Sequence, residues 1–300
     1  MIICAGESLV DVIPSEQEGE PERAVPGGGP MNSAVAAARL GVPTAFVGRI
    51  SSDAYGDRIW SHLEASGVDL RAAQRGPEPT ARAIVTTKPV QSFRFEGDNT
   101  ADASMTSFDL GPLGPGPHLL HAGTLGVFRG DTAATLARLL DQHDGAVSFD
   151  PNIRPQVFPS RAEWFAVADP WLDRADVIKA SDEDLEWMGL GIDDLLARNT
   201  HAVLRTAGGS GVDGFLAAGQ RFSVPAPKVT VADTVGAGDS FCGAVLSALY
   251  RRRCVTSQTM AGLDVEAWTE IVGYGVAAAA ITVSRLGADP PWLSEMANGR

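Results

Sequence analysis

Two glycines and one acid could do chemistry here. In Asp233-Thr234-Val235-Gly236-Ala237-Gly238-Asp239-Ser240-Phe241 they stand where an apolar-periodic helical run, Phe241–Tyr250, begins. The first N–H groups of a helix lack intrahelical partners, so bare backbone at that point makes an anion site. Asp239 puts a carboxylate beside it, an awkward neighbour for a resident anion. A transient anion resolves the conflict. Charge that develops on a migrating phosphoryl group would be stabilised by the amides of Gly236, Ala237 and Gly238, while Asp239 takes a proton from an attacking hydroxyl. An ordinary Asp, with a pKa of about 3.9, is ionised at neutral pH and ready as a base. The same residues also suit a plainer arrangement, a turn followed by a first-turn acid favoured by the helix dipole.

A second glycine cluster lies near the start. Gly27-Gly28-Gly29-Pro30-Met31-Asn32 enters an alanine-rich run, Ser33–Leu40, that favours helix and is closed by Gly41 as its C′ residue. The glycines let a ligand approach the backbone. Asn32, in the first turn, offers a donor and an acceptor to a hydroxyl-rich ligand, or serves simply as part of a cap. Asp11 follows the buried strand expected at Ile2–Ala5, near the strand end where open α/β sheets bind ligands. An acid in such a loop is also commonly just solvated.

The elements that must position these residues alternate along the chain. Strands are expected at Thr44–Val47, His118–Ala122, Ala146–Phe149, Ala175–Lys179 and Ala202–Thr206, and one from Phe222 onward to Val231. Helices are expected at Asp53–Ala65, about Asp131–Leu140, after a Ser181 cap, and from Val265 to about Arg285. Each strand ends at a polar or glycine-rich turn, so these turns should gather along one edge of a mainly parallel sheet. The pattern changes between Thr80 and Phe95. There Arg82–Thr87 and Gln91–Phe95 read as paired strands across Lys88-Pro89-Val90, with Phe93 and Phe95 on one face. With the polar stretch around Pro14–Pro26 they form an expected β lid, drawn from about residues 12–26 and 80–106. No repeat or linker divides residues 1–300, which read as one domain.

Composition narrows the partners. The chain has 300 residues, 44% apolar and 20% charged, as a soluble globular protein does. A net charge of −13 argues against a nucleic-acid surface, with no basic run longer than Arg251-Arg252-Arg253. Cys4, Cys242 and Cys254 form no metal or disulfide spacing, which fits a reducing cytoplasm. No signal peptide is visible, and no apolar run reaches the roughly 20 residues a membrane span requires.

Together these segments resemble the ribokinase family of sugar and nucleoside kinases, the phosphofructokinase B group. The resemblance covers nearly the whole chain and rests on two separated signatures, Gly27–Asn32 and Asp233–Asp239. It implies a ribokinase-like three-layer α/β/α sandwich with a small β-sheet lid over the sugar. By the same resemblance Asp239 is the base and Gly236, Ala237 and Gly238 the anion hole. Asp11, Gly28 and Asn32 match positions that bind sugar hydroxyls, and Lys179, Ser181, Thr206, Gly208 and Gly211 match ATP-side segments. Magnesium would arrive with the nucleotide, and some relatives hold a potassium-type ion near the places of Asp233 and Arg285–Ala288. Relatives often carry an Asn-x-x-Glu motif whose acid organises magnesium; here the run is Ser181-Asp182-Glu183-Asp184, one methylene shorter at Asp184. An exposed lid sheet would be a dimer edge.

Within that family the wording is similar to bacterial fructokinases in Ser92–Phe95, Ala101-Asp102, Asp150-Pro151-Asn152-Ile153-Arg154 and Lys179-Ala180-Ser181. Kinases of 2-keto-3-deoxygluconate typically place a tyrosine and an arginine after the lid. Here Phe95-Glu96-Gly97-Asp98-Asn99 has acids and no tyrosine, which disfavours a sugar acid. Arg154 points the other way, matching a substrate contact in some sugar-acid kinases. A ketohexose is the expected acceptor. 2-Keto-3-deoxygluconate, ribose, a nucleoside or a silent sugar-binding regulator are the alternatives.

Overall fold

The fold is described from a computed structural model that covers residues 1–13, 22–86, 92–155, 157–158 and 160–296. Its strands, in chain order, are β1 Ile2–Ala5, β2 Leu9–Ile13, β3 Arg23–Gly27, β4 Thr44–Val47, β5 Arg49–Ser51, β6 Gln74–Gly76 and β7 Ala81–Thr86. They continue with β8 Ser92–Glu96, β9 Leu119–Gly123, β10 Val147–Asp150, β11 Val177–Ser181, β12 Ala202–Thr206, β13 Val212–Leu216 and β14 Arg221–Val224. The main sheet runs β14-β13-β12-β11-β10-β9-β1-β4. From β4 to β12 every pairing is parallel, and β13 and β14 add an antiparallel hairpin edge.

The parallel strands are short continuous apolar runs because both faces are covered. Successive side chains divide between those faces. Ile2 and Cys4 join a core with Met31, Phe241 and Trp268, from the helices Gly29–Arg39, Ala237–Arg251 and Val265–Val283. Ile3 and Ala5 join the other core with Leu136, Trp164 and Trp171, from Gly130–Asp141 and Arg161–Arg174. Two helical layers thus enclose one sheet. Among the described residues no helix is long and apolar enough to cross a membrane.

A second sheet has the order β3-β2-β7-β8. It begins at Leu9, earlier than the expected lid, and residues beyond Glu96 form a short 3-10 turn, Ala101–Ala103, rather than strand. The expected Lys88–Val90 turn, most of the Pro14–Pro26 stretch and the Phe93 side chain lie outside the described residues. Phe95 packs with Leu9, Ala81, Leu125 and Val157. The Arg129 guanidinium sits 4.4 Å from the Phe95 ring centre and pairs with buried Asp102 at 2.7 Å.

The strand expected from Phe222 to Val231 stops at Val224. Pro225 and Pro227 cannot donate to a ladder, so the chain continues as irregular backbone. β13 and the β5–β6 pair were not expected. Val212, Gly214 and Leu216 do alternate inward, but the run is interrupted by Asp213 and Gly214.

Candidate active site

The Ala237–Arg251 helix starts at a residue that only glycine can fill. Gly236 has φ 74°, and a Cβ there would lie 2.4 Å from the Ala288 Cβ. Asp233 ties this turn down. Its carboxylate accepts from Val235 N at 3.1 Å and Gly287 N at 2.9 Å. The Val283 carbonyl receives Ala232 N and Asp233 N at 2.8 and 3.2 Å. Ala237 N reaches the Thr234 carbonyl at 3.3 Å, whereas Gly238 N and Asp239 N have no acceptor among the described residues. The end of the helix therefore presents free donors beside the Asp239 carboxylate.

Asp239 is partly exposed, and its Oδ2 accepts from Asn32 Nδ2 at 2.8 Å. Ser33 Oγ donates to the Asp239 carbonyl at 3.3 Å. Two segments separated by some two hundred residues are thus joined at one point. Burial pushes the Asp239 carboxyl up to about 6; the Asn32 bond opposes this, Asp150 adds to it, and Lys179 and Arg154 oppose it. Asn32 is fixed in the first turn of its helix, where its N–H meets the Gly28 carbonyl at 2.8 Å. Gly28 itself has φ 117°, and a Cβ there would meet the Glu7 carbonyl oxygen at 2.8 Å.

Asp11 is not in a loop after β1. It lies in the middle of β2, in register with Val25 and Ala83. Its carboxyl is pushed up to about 6 by burial and by Asp239, with Arg154 opposing and Asp233 adding. Asp239, Asp233 and Arg154 are thus close enough to Asp11 for their charges to act on its carboxyl. Arg154 is exposed and donates to the Asn152 and Ile153 carbonyls at 3.2 and 3.1 Å. Asn152 and Thr124, with φ of 38° and 53°, meet through Asn152 Nδ2 to Thr124 Oγ1 at 3.2 Å. Left-handed non-glycine residues cost about 1–3 kcal/mol each and cluster where geometry serves a site.

Glu7 was not singled out by its sequence context. It is fully buried, and accepts from Gly29 N at 3.0 Å and Gly126 N at 2.7 Å. Burial drives its carboxyl up to about 7 against those amide bonds. The available signal was an acid directly after an apolar strand. It pins the start of the Asn32 helix.

The expected ATP-side residues divide. Lys179 is buried next to the anion site, with Nζ 3.1 Å from both carboxylate oxygens of Asp150. Ser181 caps the Asp182–Met188 helix and Asp184 completes its capping box. Thr206 ends β12, Gly208 opens an exposed 3-10 turn, and Gly211 closes that turn through Ala207 N to its carbonyl at 2.9 Å. None of Ser181, Thr206, Gly208 or Gly211 bonds to the Asp239 group. Beyond the turn, a groove of about 750 Å³ runs along the Val265–Val283 helix, with Pro227, Val229, Ala277, Ala280, Ile281 and Ser284 in its walls.

Asp184, the expected magnesium organiser, has its oxygens bonded inside the protein. It is 4% exposed; Oδ1 accepts from Ile153 N at 2.7 Å, and Oδ2 from Ser181 N and Oγ at 2.9 and 2.7 Å. These bonds lie within the protein, so the acid braces the Asp150–Arg154 turn against the next helix. Among the described residues no group of three or more His, Cys, Asp or Glu is arranged to hold a metal ion.

Known proteins similar to this chain are carbohydrate kinases. The profile of pfkB family carbohydrate kinases matches residues 1–295. A fructokinase from Rhizobium leguminosarum bv. trifolii is 34% identical over 278 residues, which cover 89% of this chain and 85% of that protein. The crystal structure of a Xylella fastidiosa fructokinase with bound ATP superposes with a TM-score of 0.90 at 27% identity, covering 99% of this chain and 97% of that one. A fructokinase double mutant from Vibrio cholerae O395, in a form with fructose, ADP and potassium ion bound, gives a TM-score of 0.80 at 26% identity, covering 96% and 93%. The expected ribokinase-like sandwich is therefore the fold observed, and the chain belongs to the pfkB family of carbohydrate kinases.

Proposed function

We propose that this carbohydrate kinase transfers the γ-phosphoryl group of ATP to a primary hydroxyl of fructose. One observation carries the chemistry: Asp239, held by Asn32 at 2.8 Å, stands at a helix end whose Gly238 and Asp239 amides have no acceptor among the described residues. Asp239 takes the proton of the attacking hydroxyl, and its raised carboxyl makes it a better proton acceptor than an ordinary Asp while still ionised at pH 7. Asn32, Gly28 and Asp11 hold the neighbouring sugar hydroxyls. The unbonded Gly238 amide faces the charge that develops in transfer, with the Gly236 and Ala237 backbone completing the anion hole. The β2-β3-β7-β8 sheet closes over the sugar and keeps out water that would otherwise accept the phosphoryl group.

The nucleotide side fits a flat base followed by phosphates. The base would lie along the groove whose lining includes Ala277, Ala280, Pro227 and Val229, and the phosphates toward Lys179, Ser181 and Thr206 of β11 and β12 and Gly208 and Gly211 of the turn after β12. A magnesium ion bound through the phosphates would neutralise their charge, keeping several waters rather than requiring a cage of side chains. The Asp233 turn and the Arg285–Ala288 loop, already joined through Gly287 N, would hold a potassium ion. Three buried free cysteines suit the reducing cytoplasm. The whole chain acts as one kinase unit, and the outer strands of the lid, β3 and β8, offer edges for a homodimer.

A second reading, 2-keto-3-deoxygluconate kinase, is favoured by the exposed Arg154 guanidinium, whose charge acts on the Asp11 and Asp239 carboxyls. The discriminating experiment is ADP release with MgATP across fructose, 2-keto-3-deoxygluconate, ribose, adenosine and no acceptor. Fructose-dependent release supports the proposal. Release with another acceptor alone replaces the substrate, and silence with sugar still binding points to a regulator.

A further inference from the structure

Beneath the anion site lies an ion pair whose acid, Asp150, the phosphoryl-transfer scheme does not use. Asp150 ends β10 and Lys179 lies in β11, the neighbouring parallel strand. The two side chains are 5% and 9% exposed. Lys179 Nζ reaches both Asp150 oxygens at 3.1 Å, and Cys242 Sγ donates to Asp150 Oδ2 at 3.6 Å. Nζ also lies 3.4 Å from the point a Cβ on Gly238 would occupy, so the ammonium sits directly against the first turn of the Ala237–Arg251 helix. Asp150 is its one side-chain partner among the described residues.

A buried ion pair is weak evidence for stability, because desolvation offsets much of its attraction. Its place is more informative. We propose that Asp150 is a positioning residue that holds the Lys179 ammonium under the anion site, where its charge faces the transferred phosphoryl group and the Asp239 carboxylate. The proposal rests on Asp239 acting as the base and turns Lys179 from a nucleotide contact into a fixed charge. The charge is secure: burial works against it, yet Asp150 reverses the balance and Lys179 stays protonated. Asp239 senses both members, Asp150 raising its carboxyl and Lys179 lowering it. The other groups facing it are the Asn32 amide from the Gly29–Arg39 helix, Asp11 from the lid, Arg154 from the turn after β10, and the buried Cys242 thiol on its own helix.

Opposite displacements follow from the two members. Asp150→Asn, which keeps the side-chain volume, removes the negative neighbour, so Asp239 should titrate at lower pH. Lys179→Met removes the positive one, so Asp239 should titrate at higher pH. Both should lower kcat at least tenfold with sugar KM within threefold, because the charge acts on the phosphoryl group rather than on the sugar. The shift can be read without turnover by carbon-13 NMR titration of the Asp239 carboxyl in the free enzyme, assigned with Asp239→Asn. Wild-type turnover tests the kinase reading separately. Opposite shifts with reduced kcat support the proposal. Shifts of the same sign, no shift, or kcat lowered less than tenfold overturn it. Should Lys179→Met fail to fold, Asp150→Asn alone decides: a downward shift with lowered kcat supports the role, and any other result ends it.

Discussion

Replacing Asp239 by Asn isolates the base. The change removes the ionisable group and almost no volume, and the new amide oxygen can still accept from Asn32, which donates to Asp239 at 2.8 Å. Sugar affinity should therefore stay within a few-fold. Turnover should not. A positioned general base contributes about 10²–10⁴-fold, which corresponds to roughly 2.7–5.5 kcal/mol of barrier. The pH profile supplies an independent check. The Asp239 carboxyl is pushed up to about 6, so it is roughly nine-tenths ionised at pH 7 and roughly one-tenth at pH 5. Only the ionised form accepts a proton, so activity should be present above that pH and fall as pH drops through it. The assay is kcat and kcat/KM for fructose with saturating MgATP from pH 5 to 8, with sugar binding measured by calorimetry. Variant turnover within tenfold of wild type, or an acidic limb unchanged in its residual activity, would refute the base assignment.

Asn32→Ala removes the Asp239 bond and the proposed sugar contact. Fructose KM should rise about tenfold, and the acidic limb should move to higher pH because the Asn32 donor holds the Asp239 carboxyl down; an unchanged KM would contradict the assigned role. Gly236→Ala places a Cβ at φ 74° and 2.4 Å from the Ala288 Cβ, so the left-handed conformation alone costs about 1–2 kcal/mol. A Tm lower by a few degrees and kcat reduced more than tenfold are expected, and wild-type values of both would show that the turn tolerates the side chain. Glu7 releases its proton near 4.5 ordinarily and at about 7 when folded. Between these values the folded chain binds more protons, so Glu7 makes stability fall as pH rises through that window. Glu7→Gln should flatten this slope and be less stable than wild type by about 1–3 kcal/mol at pH 5, where one amide faces an NH₂ group. Urea midpoints at pH 5 and 7.5 read both effects, and identical slopes in the two proteins would exclude Glu7 as their source.

Local chemistry made much of this protein legible in its sequence. Apolar runs ending in glycine or polar turns located the parallel strands to within a residue or two, because burial on both faces imposes continuous hydrophobicity. Ser181 marked its helix start, and Gly41, with φ 76°, marked the end of another, since each meets a local backbone requirement. The glycines and Asp239 announced an anion site beside a carboxylate for the same reason. Other features depend on distant partners and carry no such local signature. Asp11 looked like a loop acid until β2 paired with β3 and β7 and turned it into a lid residue. Asp184 read as a metal-side acid, and only the fold brings Ile153 N to the carboxylate that also caps with Ser181. Glu7 and the Asp150–Lys179 pair became visible only when separate strand ends were brought side by side. The sequence alone determined which residues could form strands, caps and an anion site, because those depend on neighbours along the chain. Tertiary structure decided which acids face the cleft and which are bound within the protein, because charge and burial depend on neighbours in space.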